Sequence, residues 1–76
     1  SLPALKEFLA GESAFRAGQP DAALESYRGA LALDSGFALA GFRLANAAGW
    51  AEHPSPDDRR LAKRALSDTA RLPLRL

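Results

Sequence analysis

The sequence predicts an all-α fold: an α-α superhelix of about four antiparallel helices, paired into two hairpins. Three observations lead there. Gly and Pro punctuate the chain into four segments of roughly 13 residues, an ordinary helix length. Within each segment, apolar residues recur at helical spacing. No stretch alternates apolar and polar with period two, so no sheet is expected.

Helix one is predicted from Pro3 to about Ala17. Pro3 fits the first turn, where its missing N–H costs nothing, and Gly18 suits a left-handed terminator. Leu5, Phe8, Leu9 and Phe15 are spaced for one broad face, while Ala10, Gly11 and Ala14 leave a thin side for close helix approach. Pro20 opens helix two, with Asp21 near the positive end of its dipole. Ala23, Leu24, Tyr27, Ala30 and Leu31 form its inner stripe. Gly36 is expected to end helix two and Ser35 to cap helix three.

Helix three is predicted over about Phe37–Ala51. Phe37, Ala40, Gly41, Leu44, Ala45 and Ala48 follow one stripe, and Leu39, Phe42, Asn46 and Trp50 lie off it. A second apolar face implies a second neighbour or a ligand. After the loop Glu52–Ser55, helix four begins with Ser55 as cap, Pro56 in the first turn, then Asp57 and Asp58. Leu61, Ala62, Ala65, Leu66, Thr69 and Leu72 are its expected inner face, and Pro73 its stop.

Composition narrows the function. With 76 residues, the chain is one domain or a piece of one. It has no Cys and a single His, His53, so neither a disulfide, a thiolate metal site nor a multi-His zinc site is expected. No apolar run approaches the roughly 18 residues of a membrane span. The absence of Cys fits a cytoplasmic location. Net charge is +1, which gives no global argument for nucleic acid or membrane. Residues 1–56 hold four Lys/Arg against six Asp/Glu, and residues 57–76 hold six against three, so the basic excess lies in the last segment.

Leu9-Ala10-Gly11 and Leu44-Ala45-Asn46 are 35 residues apart. Residues 11–34, GESAFRAGQPDAALESYRGALALD, place Gly11, Phe15, Gly18, Ala23, Tyr27 and Ala30 in a Gly…aromatic…Gly…A-x3-Y-x2-A series. This resembles the tetratricopeptide repeat, a helical hairpin with a period of about 34 residues. Repeat one covers about 4–36 and a divergent repeat two about 37–72, within a single domain or fragment spanning 1–76. Ser35 replaces the usual closing Pro, Pro20 replaces an aromatic, and the second repeat has a longer turn and no aromatic in its second helix. LPALKEFLAGESAFRAG, ALALDSGFALAGFRLA and ARLPLR further resemble the repeat segments of large bacterial regulatory proteins that carry kinase, cyclase or winged-helix domains.

The resemblance implies a non-catalytic module for protein interaction or scaffolding. In such repeats the first helix of each hairpin lines a concave, partner-binding face. Carried over, that face holds Leu5, Phe8, Glu12 and Arg16 from helix one, and Leu39, Phe42, Arg43, Asn46 and Trp50 from helix three. Aromatic rings supply contact area there, and Asn or Arg holds a peptide backbone or carboxylate. The competing reading packs Phe8, Phe42 and Trp50 against neighbouring helices. The Lys/Asn pattern of a chaperone-tail carboxylate clamp is not met, because Phe8 and Glu12 occupy those places.

Expected partners are a protein or peptide, with a homodimer as a further possibility. Neither nucleic acid, membrane nor a small-molecule substrate is expected, and no cofactor is implied. The run Arg59, Arg60, Lys63, Arg64, with Arg71 and Arg75, reads as a solvated face diluted by Asp57, Asp58 and Asp68, and Asp68 can pair with Arg64. His53 reads as a loop residue, and Glu12 and Glu25 show no paired-carboxylate site. Two other functions compete. Asp34-Ser35 in mid-chain suggests an acyl carrier bearing phosphopantetheine on Ser35, although Gly36 follows it and carriers have a long preceding loop. Alternatively, the repeats are purely structural and associate with themselves, since two repeats leave an apolar end uncovered.

Overall fold

The computed structural model describes residues 1–69, with side chains through Ser67. It is all-helical, with α1 Leu2–Arg16, α2 Pro20–Leu33, α3 Ala38–Ala48 and α4 Pro56–Thr69. No strand occurs among the described residues. α1 packs on α2 and α3 on α4, giving two hairpins, and α2 packs on α3 to join them. No described helix is long and apolar enough to cross a membrane.

Local chemistry explains most helix ends. The Ser1 hydroxyl accepts from the Ala4 N–H at 3.3 Å, with Pro3 in the first turn. At the other end of α1, the Gly18 N–H donates to Phe15 O and the Gln19 N–H to Ala14 O, both at 3.0 Å. This pair of reversed bonds needs a left-handed residue at Gly18, whose φ is +77°. α4 starts with a reciprocal box. The Asp57 N–H donates to Ser55 Oγ at 3.2 Å, and the Ser55 N–H donates to Asp58 Oδ2 at 2.8 Å.

The link between the hairpins differs from expectation. Gly36 is not left-handed, and α2 ends at Leu33 with Asp34 extended at φ −150°. Ser35 caps nothing: it is exposed in the turn, and Phe37 precedes α3 without a side-chain cap bond. Phe37 takes the position before α3 with its ring 5.3 Å from that of Phe8, a packing contact in place of a polar cap. α3 also ends early, at Ala48, and residues 49–50 form a turn.

The core runs through Phe8, Leu24, Tyr27, Leu31 and Leu44, with Phe37 packed against it. All five α2 residues assigned to its inner stripe are buried. On α1 the buried residues are Ala4, Phe8 and Gly11, whereas Leu5 and Leu9 are exposed. A narrow side bearing Ala4 and Gly11 lets α2 approach closely enough to seat Tyr27, and this turns the two leucines outward. A Cβ on Gly11 would sit 2.5 Å from Tyr27 Cε1. α3 is likewise rotated. Ala47 is buried, Ala45 is exposed, and Asn46, which the 35-residue spacing aligns with Gly11, faces solvent. The small residue at the α3–α4 crossing is instead Gly41, where a Cβ would lie 2.7 Å from the Ala65 methyl.

On α4, Ala62 and Ala65 are buried and Leu61 is partly so, while Leu66 is more exposed than an inner position implies. The side chains of Asp68 and Thr69, and residues Arg71, Leu72, Pro73 and Arg75, lie outside what is described. So do the Asp68–Arg64 pair and the stop at Pro73.

Candidate functional site

The surface expected to meet a partner is carried by α1 and α3, and its residues separate into three groups. Phe8 does not belong to an accessible face. It is buried between Tyr27, at a ring distance of 5.9 Å, and Phe37, because the narrow face of α1 points at α2. It therefore serves the core, the packing alternative weighed for it.

Glu12 and Arg43 form the second group. The Tyr27 hydroxyl donates to Glu12 Oε1 at 2.5 Å, and an Arg43 guanidinium N–H donates to Glu12 Oε2 at 3.0 Å. Burial pushes the Tyr27 phenol pKa well up, and its hydrogen bond to Glu12 pushes it further. The phenol therefore stays protonated, as the bond to Glu12 requires. Arg43 is half-buried, and its Nε is enclosed with no hydrogen-bond partner among the described residues. These groups tie α1 to α3 and form the polar floor between them.

The third group is open to solvent. Leu39 is 51% exposed and Phe42 56%, three residues apart on α3, with Asn46 one turn further along. Arg16 is exposed in the last turn of α1, and Leu5 and Leu9 are exposed on the same helix. Trp50 is 71% exposed, yet it lies past the end of α3. It borders a shallow depression with Gln19, Pro20 and Asp21, at the turn of the first hairpin. Trp50 therefore stands one turn past Asn46, next to the α1–α2 turn.

Three polar links were not anticipated from sequence. Arg28 grips Asp58 with two bonds, Nε to Oδ1 at 2.6 Å and an NH2 to Oδ2 at 2.8 Å. Asp58 is only 2% exposed, and its carboxyl is held below the ordinary value, first by these bonds and also by the Ser55 N–H. Asp21 accepts from the backbone N–H of Glu52 at 3.1 Å and of His53 at 2.8 Å, and these bonds lower its pKa. Arg43 and Glu12 complete the set. The partners in all three links are 30 to 32 residues apart, about one hairpin. For the Arg28–Asp58 and Arg43–Glu12 links, opposite charges offset by about one hairpin were the signal available in the sequence.

Asp21, Glu52 and His53 also bring three potential metal-binding atoms within 4.8 Å of one another. Both Asp21 oxygens already accept backbone N–H groups, and His53 Nδ1 stands 3.8 Å from Asp21 Oδ1 in an exposed loop. The cluster acts as a staple holding the α3–α4 loop to the start of α2. Comparison of the chain with protein-family models, curated proteins and solved structures returned no match.

Proposed function

We propose that this chain is a non-catalytic protein-interaction module of tetratricopeptide type, working in the cytoplasm as part of a larger bacterial regulatory protein. One observation carries the reading: Leu39 and Phe42 stand more than half exposed on α3, beside the Glu12–Arg43 floor. The core is already filled by Phe8, Tyr27, Phe37 and Leu44, so the two exposed side chains are not needed to close it. Apolar groups at helical spacing flanked by fixed polar groups suit a peptide or helix laid along α3. Arg16 and Asn46 supply donors at its edge. The sequence likeness in residues 11–34 points the same way.

The test is selection from a displayed peptide library against the folded chain, followed by binding measurements on the double variant Leu39→Ala/Phe42→Ala. Both positions are exposed, so the fold should persist, as circular dichroism would show. The expected result is a family of enriched peptides that lose about tenfold or more in affinity on the variant. Failure to enrich any sequence, or equal binding by the variant, would refute the assignment of this face.

A further inference from the structure

A second surface adjoins the first around α3. Between α3 and α4 is an open cleft of about 1000 Å³. Ala45, Ala48 and Gly49 line one wall, and Ala62 and Leu66 lie on the other. Its apolar lining is the alanine methyls, the Leu66 side chain and the Pro54 and Pro56 rings, which leave it open, so whatever fills it must bring large apolar side chains.

The chain itself shows what such a cleft accepts. The first hairpin receives a helix, α3, which seats Leu44 in the core and sends Arg43 to Glu12 on α1. Phe37, just before α3, stacks on Phe8. There the wall offers a carboxylate and the incoming helix an arginine.

In the second cleft the signs are reversed. Arg59 and Lys63 line it, and both are exposed. Four residues apart, they share one side of α4. Neither joins an ion pair among the described residues. The carboxylate in the cleft, Asp58, is already taken by Arg28 and the Ser55 N–H, and α3 contains no acidic residue.

From this we infer that the α3–α4 cleft docks an acidic amphipathic helix of a partner protein, with large apolar residues on one stripe and carboxylates about one turn apart beside it. A second copy fits poorly. The helix with outward leucines, α1, carries exposed Lys6 and Arg16 against Glu7, and Glu12 is occupied. Residues 70–76 add Arg71 and Arg75 and no acid, so these residues have the wrong sign as well.

The test uses two fluorescein-labelled helical peptides with the same leucine stripe, one flanked by Glu and the other by Lys, read by anisotropy. The Glu peptide should bind, more weakly as salt rises, and the Lys peptide should bind about tenfold less well. Arg59→Glu/Lys63→Glu should reverse that ranking. Ala45→Trp, at an exposed position, should block both peptides by bulk while circular dichroism shows the fold intact. Equal affinities, a ranking untouched by the charge reversal, or binding that survives Ala45→Trp would overturn the proposal. So would loss of binding on Leu39→Ala, a residue that does not line the cleft, which would place the peptide on the Leu39 side of α3. Light scattering without peptide completes the set. A concentration-dependent dimer abolished by Ala45→Trp would make a second copy the occupant and overturn the partner assignment.

Discussion

In the first hairpin, α1 and α2 meet across Gly11 and the Tyr27 ring, and the ring is fully buried with its hydroxyl on Glu12. In the second, α3 and α4 meet across Gly41 and the Ala65 methyl, with an open cleft alongside. The same hairpin geometry is thus closed once by an aromatic ring and once by alanines. An aromatic buries far more surface than a methyl group, so the first hairpin holds the larger share of the hydrophobic stabilisation. The second depends more on polar ties to α2. Arg28–Asp58 and Asp21 with the 52–53 backbone add to the apolar anchors Leu44 and Phe37.

The sharpest break in this comparison is Tyr27→Ala. It should cost about 3–5 kcal/mol, as large-to-small aromatic changes in cores do. For a domain of this size that is most of the available stability. Urea titration should show it largely unfolded without denaturant. A loss under 1 kcal/mol, on the order of an exposed-site change, would mean that the ring is not the keystone of the first hairpin.

Asp58→Asn tests the polar half. Asp58 is buried and Arg28 about one-third exposed, so losing the ionic grip should cost about 2–3 kcal/mol rather than the full figure for a buried pair. The pH dependence has a fixed sign. The folded-state carboxyl lies below its ordinary 3.8 and the unfolded chain takes up a proton more readily. The pair therefore stabilises fully above 3.8, and this contribution is lost as pH falls through the lower folded value. Thermal melts from neutral to acid pH should show that limb, and the Asn variant should flatten it.

The smallest effects should come from adding one methyl at each crossing. Gly11→Ala drives a Cβ into an anchored ring and should cost about 2 kcal/mol net of the better helix propensity. Gly41→Ala meets Ala65 and the Ala62 carbonyl, but α4 borders the open cleft and can shift. About 1 kcal/mol is expected there. Equal melting temperatures for the two variants would erase the claimed difference in how tightly the hairpins close.

Helix number, the terminator at Gly18, the cap at Ser55, and the whole inner stripe of α2 were legible in the sequence. Each rests on local chemistry or on a stripe containing large side chains. The faces of α1 and α3 were less legible, because alanines surround those helices and several rotations bury similar apolar area. Tyr27 decided between Leu5/Leu9 and Ala4/Gly11 on α1, and that is a tertiary choice. The residue before α3, Phe37, meets Phe8 in a contact 29 residues away in sequence. Of the expected partner-facing residues, Leu39, Phe42 and Asn46 lie open on α3 and Arg16 on α1. Phe8 went to the core, Glu12 and Arg43 to each other, and Trp50 to the hairpin turn. Spacing along one helix cannot report such pairings.

Asp58 is both the third residue of the box that starts α4 and the ligand of Arg28 on α2. The box closes within residues 55–58, and Arg28 holds the same carboxylate, so the start of the last helix is coupled to α2. A chain stalled before residue 58 would lack this link, and native-state hydrogen exchange should show the α4 amides and the Arg28 region opening together as one unit.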